Sequence, residues 1–133
     1  MTDRTEQRTL FVECRLDALD ADRSRATVVL ADRANRTYEG VGEHAGAEHD
    51  LWSVAKATTQ ALQKALGLPE EDLRLKDVSA FTIDEGPAVA VSLRLRAGGE
   101  KRTLFGLSQT EDDRGRAAAL AVLGATNRVL GKA

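Results

Sequence analysis

Hydrophobic residues stand at every second position from Leu10 to Leu16, with Glu13, Arg15 and Asp17 among the polar ones. A period of two marks a strand with one buried face. "DADR" then turns the chain into "ATVVLA", residues 26–31, and "DRANR" turns it again into "RTYEGVG", residues 36–42. From Asp50 the period changes, and Leu51, Val54, Ala55, Thr58, Ala61, Leu62 and Leu66 follow helical spacing. Gly67 is placed to close that helix as a left-handed cap, and Pro69 blocks its continuation.

The pattern then restarts. "LRLKDVSAFTI", residues 73–83, reads as a strand, and "DEGP" is turn chemistry. In "AVAVSLRLR", Val89, Val91, Leu93 and Leu95 share one face, with Ser92, Arg94 and Arg96 on the other. "AGGE" predicts a tight hairpin into "KRTLFGL", residues 101–107. Thr110 is the expected cap of a second helix that runs to Gly131. Glu111, Asp112 and Asp113 would put negative charge at the positive end of its dipole.

The order strand-strand-strand-helix thus occurs twice. An ungapped shift of sixty-four positions pairs Gly42 with Gly106, Ala57 with Ala121, Ala61 with Ala125, Leu66 with Leu130 and Gly67 with Gly131. Matched element order with matched glycines reads as internal duplication. Residues 1–9 are expected to be a flexible tail, and 10–133 one domain made of repeats 10–67 and 73–131. Each repeat is a meander whose apolar face needs a cover, and an alanine-faced helix can lie on it closely. The expected class is α+β: an antiparallel sheet of about six strands with two helices on one face. Glu13, Arg15, Asp17, Arg94 and Arg96 mark the opposite face as wet.

Composition narrows the function. The 133 residues carry 19 basic and 21 acidic side chains, a balance with no field to hold a polyanion, so nucleic acid is not an expected partner. No run reaches membrane-spanning length and the first residues are charged, so the expectation is a cytoplasmic chain with no membrane partner. The one cysteine, Cys14, cannot form an internal disulfide and reads as a small buried hydrophobe. No Ser-His-Asp, phosphate-loop or paired-Cys motif is present, so an enzyme is not expected and no cofactor is implied.

Both histidines fall in "GVGEHAGAEHD". His44 and His49, five apart, are weak candidates for a metal site with Glu43 or Asp50. The plainer reading is a polar strand-to-helix connection, with Asp50 as helix cap and Gly46 relaxing the turn. Between them lies a ligand loop, in which amides near Gly40 and Gly42 would hold a carboxylate. Trp52, in the first helical turn, is either a core anchor or an interface residue.

The second repeat carries a resemblance. "FGLSQTEDDRGRAAALAVLGATNRVL" is similar to the closing segment of the C-terminal regulatory domain of 2-isopropylmalate synthases and the related citramalate synthases. Gly106, Ser108, Asp112, Ala117, Ala121, Ala125, Asn127 and Arg128 carry the match, and the general pattern covers about residues 10–131. The resemblance implies a non-catalytic, stand-alone regulatory domain: a homodimer that binds leucine, isoleucine or a similar small metabolite near the dimer interface, with an unidentified enzyme as its partner. Gly40, Gly42, Gly106, Ser108 and Asp112 are the expected ligand-binding residues. The alternative is a small oligomeric scaffold without a metabolite ligand.

Overall fold

The computed structural model describes residues 9–84, 86–109 and 113–130, the last three by backbone alone. In chain order the elements are β1 (Leu10–Asp20), β2 (Arg23–Ala31), β3 (Thr37–Ala45), α1 (His49–Leu66), a short 3-10 turn (Glu70–Asp72), β4 (Leu73–Ile83), β5 (Gly86–Ala97), β6 (Glu100–Gln109) and α2 (Arg114–Leu130). The fold is α+β, and the described residues form the six antiparallel strands and two helices that the pattern predicts. The ladder divides into two meanders, β1-β2-β3 and β4-β5-β6. Helix α1 lies on β2 and β3 and reaches β4, while α2 lies on β5 and β6 and reaches β1. The helices also pack on each other, and a single core joins both repeats.

Glycine and alanine set the closeness of each helix to its sheet. A Cβ at Gly42 would collide with the Ser53 carbonyl and stand 2.6 Å from the Ala57 amide nitrogen. At Gly106 it would collide with the Ala121 carbonyl and stand 3.0 Å from the Ala125 Cβ. Gly40 meets Ala57 and Ala61 in the same way. Backbone thus rests on backbone, and Ala57, Ala61, Ala121 and Ala125 are all buried. Hydroxyls inside this layer are satisfied locally: Thr58 donates to the Val54 carbonyl (2.7 Å) and Thr126 to that of Val122 (3.1 Å).

The duplication is visible in hydrogen bonds as well as in packing. Gln63 Nε2 donates to the Leu73 carbonyl at 2.7 Å, fastening α1 to β4. Asn127 Nδ2 donates to the Thr9 carbonyl at 3.0 Å, fastening α2 at the start of β1. Both members of the second pair are sixty-four positions from those of the first.

Helix ends follow their local chemistry. Gly67, at φ 67°, lets its own N–H and that of Leu68 reach back to the Lys64 and Gln63 carbonyls. Asp113 Oδ1 accepts the Arg116 N–H at 2.9 Å before α2. The start of α1 differs from expectation. Its cap position is Glu48, in the left-handed region at φ 56°, with no side-chain cap bond. Asp50 sits inside the first turn, where its carboxylate is engaged by Arg114 instead.

Strand β3 also runs farther than its pattern predicts, to Ala45. Arg23, Ser24 and Arg25 pair with Ala45, His44 and Glu43, and Arg25 holds the Glu43 carboxylate at 2.9 Å. The strand's outer edge is then sealed from α1. Lys64 Nζ donates to the Glu39 carbonyl (2.7 Å), Gln60 Oε1 accepts the Val41 N–H (2.8 Å), and Lys56 Nζ donates to the Glu43 carbonyl (3.0 Å). Three side chains one helical turn apart thereby occupy groups that an edge strand otherwise offers to another chain.

Candidate functional site

The glycines singled out from sequence are packing residues in this fold. Gly40 and Gly42 lie within β3, buried and paired with Val28 and Ala26, rather than in a loop. Gly106 and Ser108 lie in β6, paired with Val91 and Val89. The two pairs therefore belong to different sheets, each beside its own helix. Asp112, with Thr110 and Glu111, lies outside the described residues.

The two histidines are engaged separately. His44, on β3, stacks on Trp52 with ring centroids 4.8 Å apart and planes 11° from parallel. Burial, then the charge of Lys56, then His49 hold its imidazole below the ordinary value of 6.5. His49 begins α1, and its Nδ1 lies 3.1 Å from Ser24 Oγ. Ser24 Oγ is in turn 2.9 Å from Ser53 Oγ, which donates to the His49 carbonyl at 2.6 Å. Ser24 is 1% exposed, so this Ser-His contact ties β2 to the start of α1 and offers no reachable nucleophile. Among the described residues, no group of three or more His, Cys, Asp and Glu side chains is arranged to hold a metal ion.

Cys14 faces α2, with its Sγ 3.9 Å from the point where a Cβ on Gly115 would stand. Burial, and then the neighbouring carboxylate of Asp113, push its thiol up to about 11. A thiol held that high is protonated at neutral pH and is a poor nucleophile.

A concave feature that can hold a small molecule lies along α1, between β3 and β4. It has a volume of about 380 Å³ and is open to solvent. Its walls combine apolar surface from Val41, Trp52 and Leu75, over the buried Leu73, with polar groups from α1. Lys56 and Arg74 are its basic lining residues and Glu70 an acidic one, while the Glu43 carboxylate is taken up by Arg25. Of its lining, Gly42, Glu43 and Trp52 stand out in the sequence, but the groove itself does not, because it forms only when β4 of the second repeat closes beside α1. At the far side of the same helix start, Arg114 Nη2 bonds Glu48 Oε1 at 2.7 Å and Arg114 Nε bonds Asp50 Oδ2 at 3.2 Å. That junction is filled by its own ion pairs, whereas a second hollow of about 400 Å³, on the β2–β3 turn, is lined by Asp32, Arg33, Ala34 and Arg36 and offers no apolar wall beyond Ala34.

The chain matches no protein-family model and no curated protein. Among the described residues, no helix is long and apolar enough to cross a membrane.

Proposed function

We propose that this chain is a non-catalytic binding domain for a small zwitterionic metabolite, an amino acid with a short apolar side chain being the best fit, and that binding regulates a partner enzyme. The observation that carries the reading is that basic Lys56 and Arg74, acidic Glu70 and the apolar side chains of Trp52 and Leu75 line one groove. Lys56 and Arg74 supply donors for a carboxylate, Glu70 accepts from an ammonium group, and Trp52 and Leu75 meet the side chain. Its volume of about 380 Å³ lies within the roughly 300–1,000 Å³ usual for small-molecule sites. The resemblance of the second repeat to the regulatory domain of 2-isopropylmalate synthases supports the same ligand class, and of the expected ligand residues Gly42 lines the groove while Gly40, Gly106 and Ser108 do not.

The test is a thermal-shift screen of amino acids and related acids, followed by calorimetric titration of any hit. A ligand present at a hundredfold its dissociation constant should add about 2.7 kcal/mol of apparent stability. Arg74→Met should weaken a zwitterion's binding by roughly the 1.5–3 kcal/mol of a charged hydrogen bond. Absence of any hit at millimolar concentration, or equal affinity in the variant, would remove this site.

The scaffold alternative rests on a different observation, the exposed apolar side chains of β6. Phe105 is 67% exposed and Leu107 is 53% exposed.

A further inference from the structure

Two glutamines line the groove from α1, and each spends only half of its amide on the protein. Gln60 Oε1 accepts the Val41 N–H of β3 at 2.8 Å, and Gln63 Nε2 donates to the Leu73 carbonyl of β4 at 2.7 Å. A backbone N–H can only donate and a carbonyl can only accept, so neither amide can be turned round without losing its bond. Gln60 thus retains Nε2, a donor, and Gln63 retains Oε1, an acceptor. Among the described residues, neither of these two atoms has a hydrogen-bond partner.

The second repeat shows the same fastening with nothing left over. Asn127 is the counterpart of Gln63, and Thr9 that of Leu73. There Nδ2 donates to the Thr9 carbonyl at 3.0 Å and Oδ1 accepts the Thr9 N–H at 3.2 Å, so both ends of the amide are consumed. The counterpart of Gln60 is Gly124, which carries no amide. The reserved donor and acceptor are therefore not required by the fold, and they occur in the repeat that has the groove.

The charged lining sorts in the same sense. Lys56 stands one turn before Gln60 and donates to the Glu43 carbonyl of β3 at 3.0 Å, which leaves it two further N–H groups on that wall. Glu70 stands just ahead of β4, on the side to which Gln63 is fastened. Gln63 also begins the last turn of α1, where the helix dipole favours a cation. Donors gather beside β3 and acceptors beside β4.

We propose that Gln60 and Gln63 set the specificity of the groove for an α-amino acid over an acid or an amine of the same shape. Gln60 Nε2, with Lys56, takes the carboxylate on the β3 side, and Gln63 Oε1, with Glu70, takes the ammonium group on the β4 side. The inference rests on the reading of the groove as a zwitterion site and adds the direction in which the ligand lies across it. An acid without the amine leaves Gln63 and Glu70 without a donor, and an amine without the carboxylate leaves Gln60 and Lys56 without an acceptor. Either analogue forfeits one half of the polar contacts.

Calorimetric titration with L-valine, 3-methylbutanoate and 2-methylpropylamine tests it, because the three share one apolar group and differ only in their charged ends. Wild type should bind valine at least tenfold more tightly than either analogue. Gln63→Lys keeps a donor for the Leu73 carbonyl, as Lys56 and Lys64 are for carbonyls of β3, but puts a cation where the acceptor was. It should lose the preference for valine over 3-methylbutanoate. Gln60→Glu keeps an acceptor for the Val41 N–H and removes the donor, so it should lose the preference for valine over 2-methylpropylamine. The ratio of affinities is read, so a loss of stability that weakens all three probes alike does not imitate either result. Wild type that binds valine and both analogues equally overturns this inference and leaves the groove reading standing, as does either variant that keeps the wild-type ratios. Wild type that binds valine at no millimolar concentration removes the groove reading and this inference with it.

Discussion

Asp50 and Arg114 occupy corresponding positions of the two repeats, sixty-four residues apart, and they bind each other. Both nitrogens of the guanidinium fork take part, Nε to Oδ2 and Nη2 to Oδ1, each at 3.2 Å. Residues related by an internal two-fold meet only near its axis, so this pair marks where the helix starts converge. Two identical repeats would place like charges there, Asp against Asp or Arg against Arg. Opposite charges at this point favour one first repeat with one second repeat over either alone with itself.

The pair itself should contribute little to stability, because Arg114 and Asp50 side chains are 45% and 30% exposed. A double-mutant cycle of Arg114→Met and Asp50→Asn, read by urea denaturation, is expected to give a coupling of about 0.3–1 kcal/mol that shrinks in high salt. A coupling that salt leaves unchanged would contradict this.

Glycines of the second repeat should respond oppositely to alanine. Gly106→Ala drives a methyl into the Ala121 carbonyl, backbone against backbone, and is expected to cost about 1–3 kcal/mol or more. Gly124→Ala meets empty space inside a helix and should gain about 0.5–1 kcal/mol. Thermal melts of the two variants should move to opposite sides of wild type.

His44 should make the fold sensitive to mild acid. Its folded pKa lies below the ordinary 6.5, so the unfolded chain takes up the proton first as pH falls. Stability from this group is present above about 6.5 and lost as pH drops through the lower folded value. His44→Phe retains a ring against Trp52 without the titration. Its urea midpoint should therefore fall less between pH 7 and 5, and a slope equal to wild type would exclude His44 as the source.

Cys14 should resist alkylation until the chain unfolds. A pKa of about 11 instead of 9.0 lowers the thiolate fraction roughly a hundredfold at neutral pH. Mass spectrometry after iodoacetamide treatment, with and without urea, should show modification confined to the denatured sample. Rapid labelling of the native protein would show that the site opens.

Much of the fold was legible because short-range chemistry decides it. Alternation from Val89 to Leu95, the Gly98-Gly99 turn with both φ positive, and Gly67 as a left-handed cap need no tertiary information. The end of β3 was harder, because Glu43 and His44 are polar and only their pairing with Arg25 and Ser24 makes them strand. The left-handed Glu48 has no residue-type signature, so Asp50 was the natural but incorrect choice of cap. The candidate site was least legible of all. Glycines before a helix suggested exposed amides, whereas Gly40 and Gly42 are consumed by close packing, and the groove needs Arg74 and Leu75 from the other repeat.

The sealed edge of β3 bears on how far assembly can go. A strand arriving there must displace Lys56, Gln60 and Lys64 from the backbone before it forms one ladder bond. Addition from that side is therefore opposed, and fibre growth by head-to-tail stacking of sheets is denied one of the two ends it requires.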